Sequence, residues 1–257
     1  MLLIVRTFNI ARYTVLEAWR NRFALLMAGI VIAAVLASIF VRQQAITEAD
    51  RMQAVFLASA LRVAAVFVVA IYVLQGTLRE FQDKVLELML SLDLPRSNYL
   101  AGKFLGYAGV SICCALIVAL PLLLVADIAD VLAWTYTLVL ELWIIAAFAL
   151  FCMTTFSQLL PAATFVLAFY LLARSITAIQ LISESTLAQS GLATDLGVVL
   201  TDAIALVLPH LDTFTQTAWL IHAPVNALSM TAATAQTAIY VALLMAGAMF
   251  DLHRRNF

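Results

Sequence analysis

The residues able to do chemistry are few in this chain, and several are grouped. Arg79, Glu80, Asp83, Lys84 and Glu87 fall in one short stretch between two very apolar segments. Leu78, Phe81, Val85, Leu88 and Leu92 recur there at three- and four-residue steps, which puts them on one helical face. The charges lie off that face, and Glu80 precedes Lys84 in the favourable i,i+4 order. This spacing predicts a short amphipathic helix at a membrane–water boundary. Its apolar side packs inward, and its charged side can dock a soluble partner.

Three ionisable residues lie inside apolar runs: Arg62, Glu141 and Arg174. Counted along their helices, all three fall ~12–15 Å below the outer surface. A charge near mid-bilayer costs ~2.5–3.5 kcal/mol on insertion scales, so each needs a partner or water. Glu141 is expected to pair with Arg62 or Arg174. Two readings stay open: a structural pair with one snorkelling arginine, or a polar site whose surplus positive charge meets an anionic substrate group.

Other chemistries find no support. No Gly-x-x-x-x-Gly-Lys-Ser/Thr phosphate loop occurs; Gly102-Lys103 lacks the upstream glycine and is followed by Phe104. His210, Asp212 and His222 are too loosely spaced for a metal site. Catalytic residues and metal ligands are therefore both expected to be none. Cys113, Cys114 and Cys152 lie in apolar runs and read as buried thiols.

Positioning these residues requires a membrane protein. The chain has 257 residues, 65% hydrophobic and 11% charged, with mean hydropathy +1.05. A soluble domain carries about 25% charged residues. Net charge −1 argues against a nucleic-acid partner. Six runs meet the span length of ~20 apolar residues: 23–41, 54–75, 104–126, 131–156, 160–182 and 231–250. The run after Arg22 is too long for a cleaved signal. Residues 4–20 form a further amphipathic stretch, with Phe8, Ala11, Val15 and Trp19 on one face, expected to lie along the inner leaflet. Residues 183–230 form a long external loop punctuated by Gly191, Gly197, Pro209 and Pro224; between them Leu196–Leu208 is apolar enough for a helix, expected to pack back on the membrane surface.

Lys and Arg placement orients the chain. Arg6, Arg12, Arg20, Arg22, Arg79, Lys84, Arg96, Lys103, Arg254 and Arg255 fall on one side, against Arg42 and Arg51 on the other. Both termini are therefore expected in the cytosol. Gly102 and Gly106 carry the spacing of close helix packing, read as packing within the subunit or as a dimer or gating contact. The fold class is all-α integral membrane, a single domain over 1–257 with an inner-leaflet helix and a cytosolic coupling helix between spans two and three.

The second loop continues as Glu87-Leu88-Met89-Leu90-Ser91-Leu92, then Pro95-Arg96, then Tyr99-Leu100-Ala101-Gly102-Lys103. With the tail Phe250-Asp251-Leu252-His253-Arg254-Arg255 and the stretch Leu208-Pro209-His210-Leu211, this layout resembles the permeases of ABC-2 type exporters. It is most similar to the branch linked to multicopper-enzyme maturation. The resemblance implies a bacterial inner-membrane protein and a dimeric permease core, of two copies or of this chain with a sister chain. It implies two copies of a separate ABC ATPase subunit, which would bind the ATP and Mg, so that no cofactor belongs to this chain. Arg79, Glu80, Phe81, Asp83, Lys84 and Glu87 would then form the ATPase-coupling helix, with lipids as the remaining partners. Two rivals differ in class: a membrane scaffold without transport, and a secondary transporter, whose matched broken helices are not visible. The substrate is left open, since Leu, Ala, Val and Phe dominate the spans.

Overall fold

The computed structural model describes residues 2–44, 48–83, 95–186, 203–205, 207–221 and 227–254. It contains seven long helices: α1 (Leu2–Arg20), α2 (Phe23–Gln44), α3 (Ala49–Gln82), α4 (Arg96–Leu122), α5 (Ile128–Phe156), α6 (Leu159–Thr186) and α7 (Ala227–Arg254). Two 3-10 turns, Leu211–Thr213 and Thr217–Ile221, lie between α6 and α7. No strand occurs among the described residues. The helices α2 to α7 are long and apolar enough to cross a membrane, so the chain is an all-α protein with six candidate spans.

Burial follows from which helices are apolar all round. A helix with no polar face belongs in the interior. In α5, Trp134, Leu138, Leu142, Ile145 and Ala149 are fully enclosed, and α5 packs against α3, α4, α6 and α7. The opposite case is α2, where Leu25, Ile32, Leu36 and Phe40 are all exposed. Apolar exposure on this scale is what lipid, not water, requires.

The first helix presents two faces. Phe8 and Trp19, on the face expected to lie along the inner leaflet, are 67% and 71% exposed and open to lipid. The buried face is Ile10, Ala11, Thr14 and Ala18. These smaller side chains let α1 run alongside the first half of α4. A Cβ at Gly102 would lie 3.0 Å from the Thr7 carbonyl oxygen and 3.1 Å from Ile10 Cβ. At Gly106 it would lie 2.5 Å from Thr14 Cβ. The two glycines therefore set the spacing of a contact within one chain. The Tyr72 hydroxyl donates to the Thr14 carbonyl at 3.3 Å and ties α1 to α3 as well. The chain then turns at Arg22, whose φ of 57° is left-handed.

Helix α3 also differs from expectation. The sequence suggests a span ending near Gln75 and a separate helix starting near Arg79. Instead α3 is one unbroken helix from Ala49 to Gln82. At 1.5 Å per residue it is ~51 Å long, well beyond the ~30 Å hydrocarbon core. Arg79, Glu80 and Phe81 form its last turn, and Asp83 closes it through a backbone bond to the Arg79 carbonyl at 2.8 Å. Lys84 and Glu87, with the rest of the expected coupling helix, lie outside the described residues.

Candidate functional site

The last turn of α3 meets the first turns of α4 in a buried polar joint. Tyr99 and Lys103 are four residues apart on α4 and face α3 together. Both reach Glu80: the Tyr99 hydroxyl donates to one carboxylate oxygen, and the Lys103 ammonium pairs with the other. The side chains of Lys103 and Glu80 are only 8% and 16% exposed. A pair this enclosed must be fully hydrogen-bonded to offset its desolvation, and Tyr99 supplies that extra bond. Glu80 thus pairs across the loop, because the α3 helix turns it inward; Lys84, its expected i,i+4 partner, lies outside the described residues.

Neighbouring contacts stiffen the joint. Phe81 packs on Ile10, Tyr99 and Leu252, bringing α1, α3, α4 and α7 to one point. Thr77 Oγ1 and the Tyr107 hydroxyl are 3.3 Å apart, and a Cβ at Gly76 would lie 2.7 Å from that hydroxyl oxygen. Arg96 Nη1 donates to the Leu252 and His253 carbonyls at 2.6 Å and 3.3 Å. A cation there satisfies carbonyls that the end of α7 leaves open. Asp251 accepts from Thr155 Oγ1 at 2.6 Å, joining α7 to α5. Both ends of the segment 84–94 are thereby fastened to the bundle. Arg79 and Asp83, in contrast, are exposed.

A second polar cluster lies at the other end of the molecule. Arg62 on α3, Glu141 on α5 and Arg174 on α6 do converge, and what they converge on is Thr215. Its hydroxyl donates to Glu141 Oε2 at 2.7 Å and accepts from Arg174 Nη1 at 3.4 Å. Its carbonyl accepts from Arg62 Nη1 at 3.2 Å. Its amide donates to Thr137 Oγ1 at 3.3 Å. Arg174 Nη1 also donates to the carbonyls of Leu211 and of Phe214, the latter at 3.2 Å. Glu141 lies 3.9 Å from Arg174, whereas Arg62 directs Nη1 to the Thr215 carbonyl.

The physical reason is the backbone of residues 211–215. It is not regular helix, yet Leu211, Phe214 and Thr215 are completely buried. Irregular backbone is tolerated at such depth only where protein groups satisfy its carbonyls. Two guanidiniums do so here, and Glu141 balances part of their charge. The described part of the 183–230 stretch just after Leu208 therefore plugs into the helix bundle and does not lie on its surface. Thr215 has φ 42°, a left-handed conformation costly for a β-branched residue by ~1–3 kcal/mol. Sequence reasoning missed Thr215 entirely, because nothing separates it from its neighbours Thr213 and Thr217. The expected helix at 196–208 falls mostly outside the described residues.

The cysteines are free; Cys114 and Cys152 are buried and Cys113 is exposed. His210 contributes a backbone carbonyl to the Thr213 amide and hydroxyl. Among the described residues no group of His, Cys, Asp or Glu is arranged to hold a metal.

Comparison with known proteins adds a family. No curated protein matches the chain. A family model described as ABC-2 family transporter protein matches residues 36–192, a stretch that takes in the α3–α4 joint, Arg62, Glu141 and Arg174. With six candidate spans arranged around that joint, the chain belongs to the ABC-2 transporter family and is a multi-pass membrane permease of that class.

Proposed function

We propose that this chain is the transmembrane subunit of an ATP-driven exporter in a bacterial inner membrane, worked by separate ABC ATPase subunits. The observation that carries the reading is the joint at Glu80. A surface loop becomes a lever only if its ends are rigidly attached to spans. Glu80 locks the end of α3 to α4, and Arg96 locks the start of α4 to α7. Arg79 and Asp83 stay exposed beside it, and with Phe81, Lys84 and Glu87 they form the proposed coupling region. Glu80 acts within that region as a positioning residue, passing load from the docked segment into the helices.

The ATP and Mg belong to the partner, since this sequence carries no phosphate loop. Two ATPase copies serve a permease core of two subunits, this chain with a second copy or a sister chain. Closure of the ATPase pair on ATP tilts α3 and α4 and moves the cavity between permeases from inward to outward access. Both termini lie in the cytosol, as the clustering of Lys and Arg on that side supports.

The test is purification of the tagged full chain in mild detergent with partners identified by mass spectrometry. An ABC ATPase recovered at one per permease, and lost when Asp83→Lys and Glu87→Lys are combined, supports the reading. A chain recovered with a partner lacking nucleotide motifs, or alone, refutes it and favours a scaffold.

A further inference from the structure

We propose that residues 211–215 are a withdrawable outer plug, held shut by a latch in which Arg62, Glu141 and Arg174 grip Thr215. The role of the plug in transport rests on the exporter reading; the latch itself does not. The plug is seated by Leu211 and Phe214 in the apolar core, and its backbone and Thr215 are tied by polar side chains of the surrounding helices. Arg62 holds the Thr215 carbonyl, Glu141 its hydroxyl and Thr137 its amide, while Arg174 holds the carbonyls of Leu211 and Phe214. The grips come from three different helices, α3, α5 and α6, so relative movement of any one loosens the set.

The buried ions that satisfy these carbonyls carry a desolvation cost that works against the closed state, and water can take over the same bonds when the site opens. Charged grips make sense where the closed state must be reversible. Other features agree. Thr215 sits in a strained left-handed conformation that withdrawal would relax. Arg62 Nε, Glu141 Oε1 and the Tyr170 hydroxyl are buried close to one another without a well-formed hydrogen bond, and water admitted on opening would satisfy them. Withdrawal would also uncover one carboxylate and two guanidiniums at matched depth. The outer route would then have a polar, net positive wall, suited to a substrate with an anionic group.

The experiment uses the full chain in native membranes, with Cys113, Cys114 and Cys152 replaced by alanine and a single reporter, Leu211→Cys. Leu211 is fully buried and its tie to Arg174 is through its carbonyl, so the reporter leaves the latch intact. A membrane-impermeant maleimide is added from the external face. Labelling of Leu211→Cys should be slow compared with Thr213→Cys, an exposed position in the same turn. In the Arg174→Gln or Glu141→Gln background it should accelerate about tenfold or more. Ala248→Cys, fully buried in α7, should stay unlabelled throughout. The latch is overturned if Leu211→Cys labels as fast as Thr213→Cys with the grips in place, or if removing a grip changes nothing. It is equally overturned if Ala248→Cys accelerates in step, because the whole bundle has then loosened. None of these readings needs an ATPase or a substrate, so failure of the exporter proposal and failure of the latch are separately visible.

Discussion

Glu80 is the residue on which the α3–α4 joint depends. Its carboxylate takes Tyr99 on one oxygen and Lys103 on the other, in a nearly closed site. Replacing it by Gln strands the Lys103 ammonium, and removing one partner of a buried pair costs ~3–5 kcal/mol. Glu80→Gln should therefore lower the thermal unfolding midpoint in detergent markedly. Glu80→Gln with Lys103→Met should recover most of that loss, because no unpaired charge is left. Equal losses in the single and double variants would show that the pair is not the source. The sequence marked Glu80 as important but offered only Lys84, outside the described residues, as its partner. The i,i+4 rule sees only one helix, and the Lys103 contact lies on the far side of a loop. The spacing of Tyr99 and Lys103 was the available signal, since it puts both on one face of α4. Arg62, Glu141 and Arg174 were legible for a simpler reason: charges at equal depth in apolar runs have few partners except each other. Their common target was not legible, because a demand from backbone carbonyls leaves no mark on residue type.

At the scale of elements, hydropathy located all six candidate spans, and what it misjudged was continuity. A span and the polar turn after it can be one helix, as α3 is, because helix formation does not stop at the membrane surface. Hydropathy also showed only one of the two faces of α1. It marked the large residues Phe8 and Trp19, which face outward, whereas docking against glycines needs small ones, and those leave a weaker signal. The Gly102 and Gly106 spacing did point to close packing, and the partner is α1 of the same chain. That contact makes a sharp prediction. Gly106→Leu cannot be accommodated where even a Cβ would approach Thr14 to 2.5 Å. Overpacking of this kind costs ~1–3 kcal/mol, enough to undock α1 and leave the other helices assembled. Trypsin should then cut at Arg20 or Arg22 about tenfold faster, the equivalent of ~1.4 kcal/mol. An unchanged cutting rate would mean that α1 is held by something other than the glycine contact.

For the whole molecule, the decisive fact is that both polar clusters share α3. Glu80 lies in its last turn, and Arg62 lies ~27 Å away along the same helix. No proline interrupts the stretch between them, so no kink is forced there. A load applied at the Glu80 joint and carried by a stiff helix would move Arg62 against the Thr215 carbonyl it holds at 3.2 Å. Hydrogen bonds weaken steeply once lengthened or bent, so a displacement of an ångström or two is enough to release that grip. The coupling segment and the outer plug would then be the two ends of one device. In membranes that contain the partner ATPase, ATP should accelerate external labelling of Leu211→Cys. Asp83→Lys, which alters the exposed docking end and leaves Arg62, Glu141 and Arg174 untouched, should abolish the ATP effect and keep the slow basal labelling. Acceleration that persists in Asp83→Lys would place the coupling contact elsewhere. Labelling that ignores ATP in the unaltered chain, with the ATPase bound and hydrolysing, would separate the two ends and leave the plug to be opened by substrate from within.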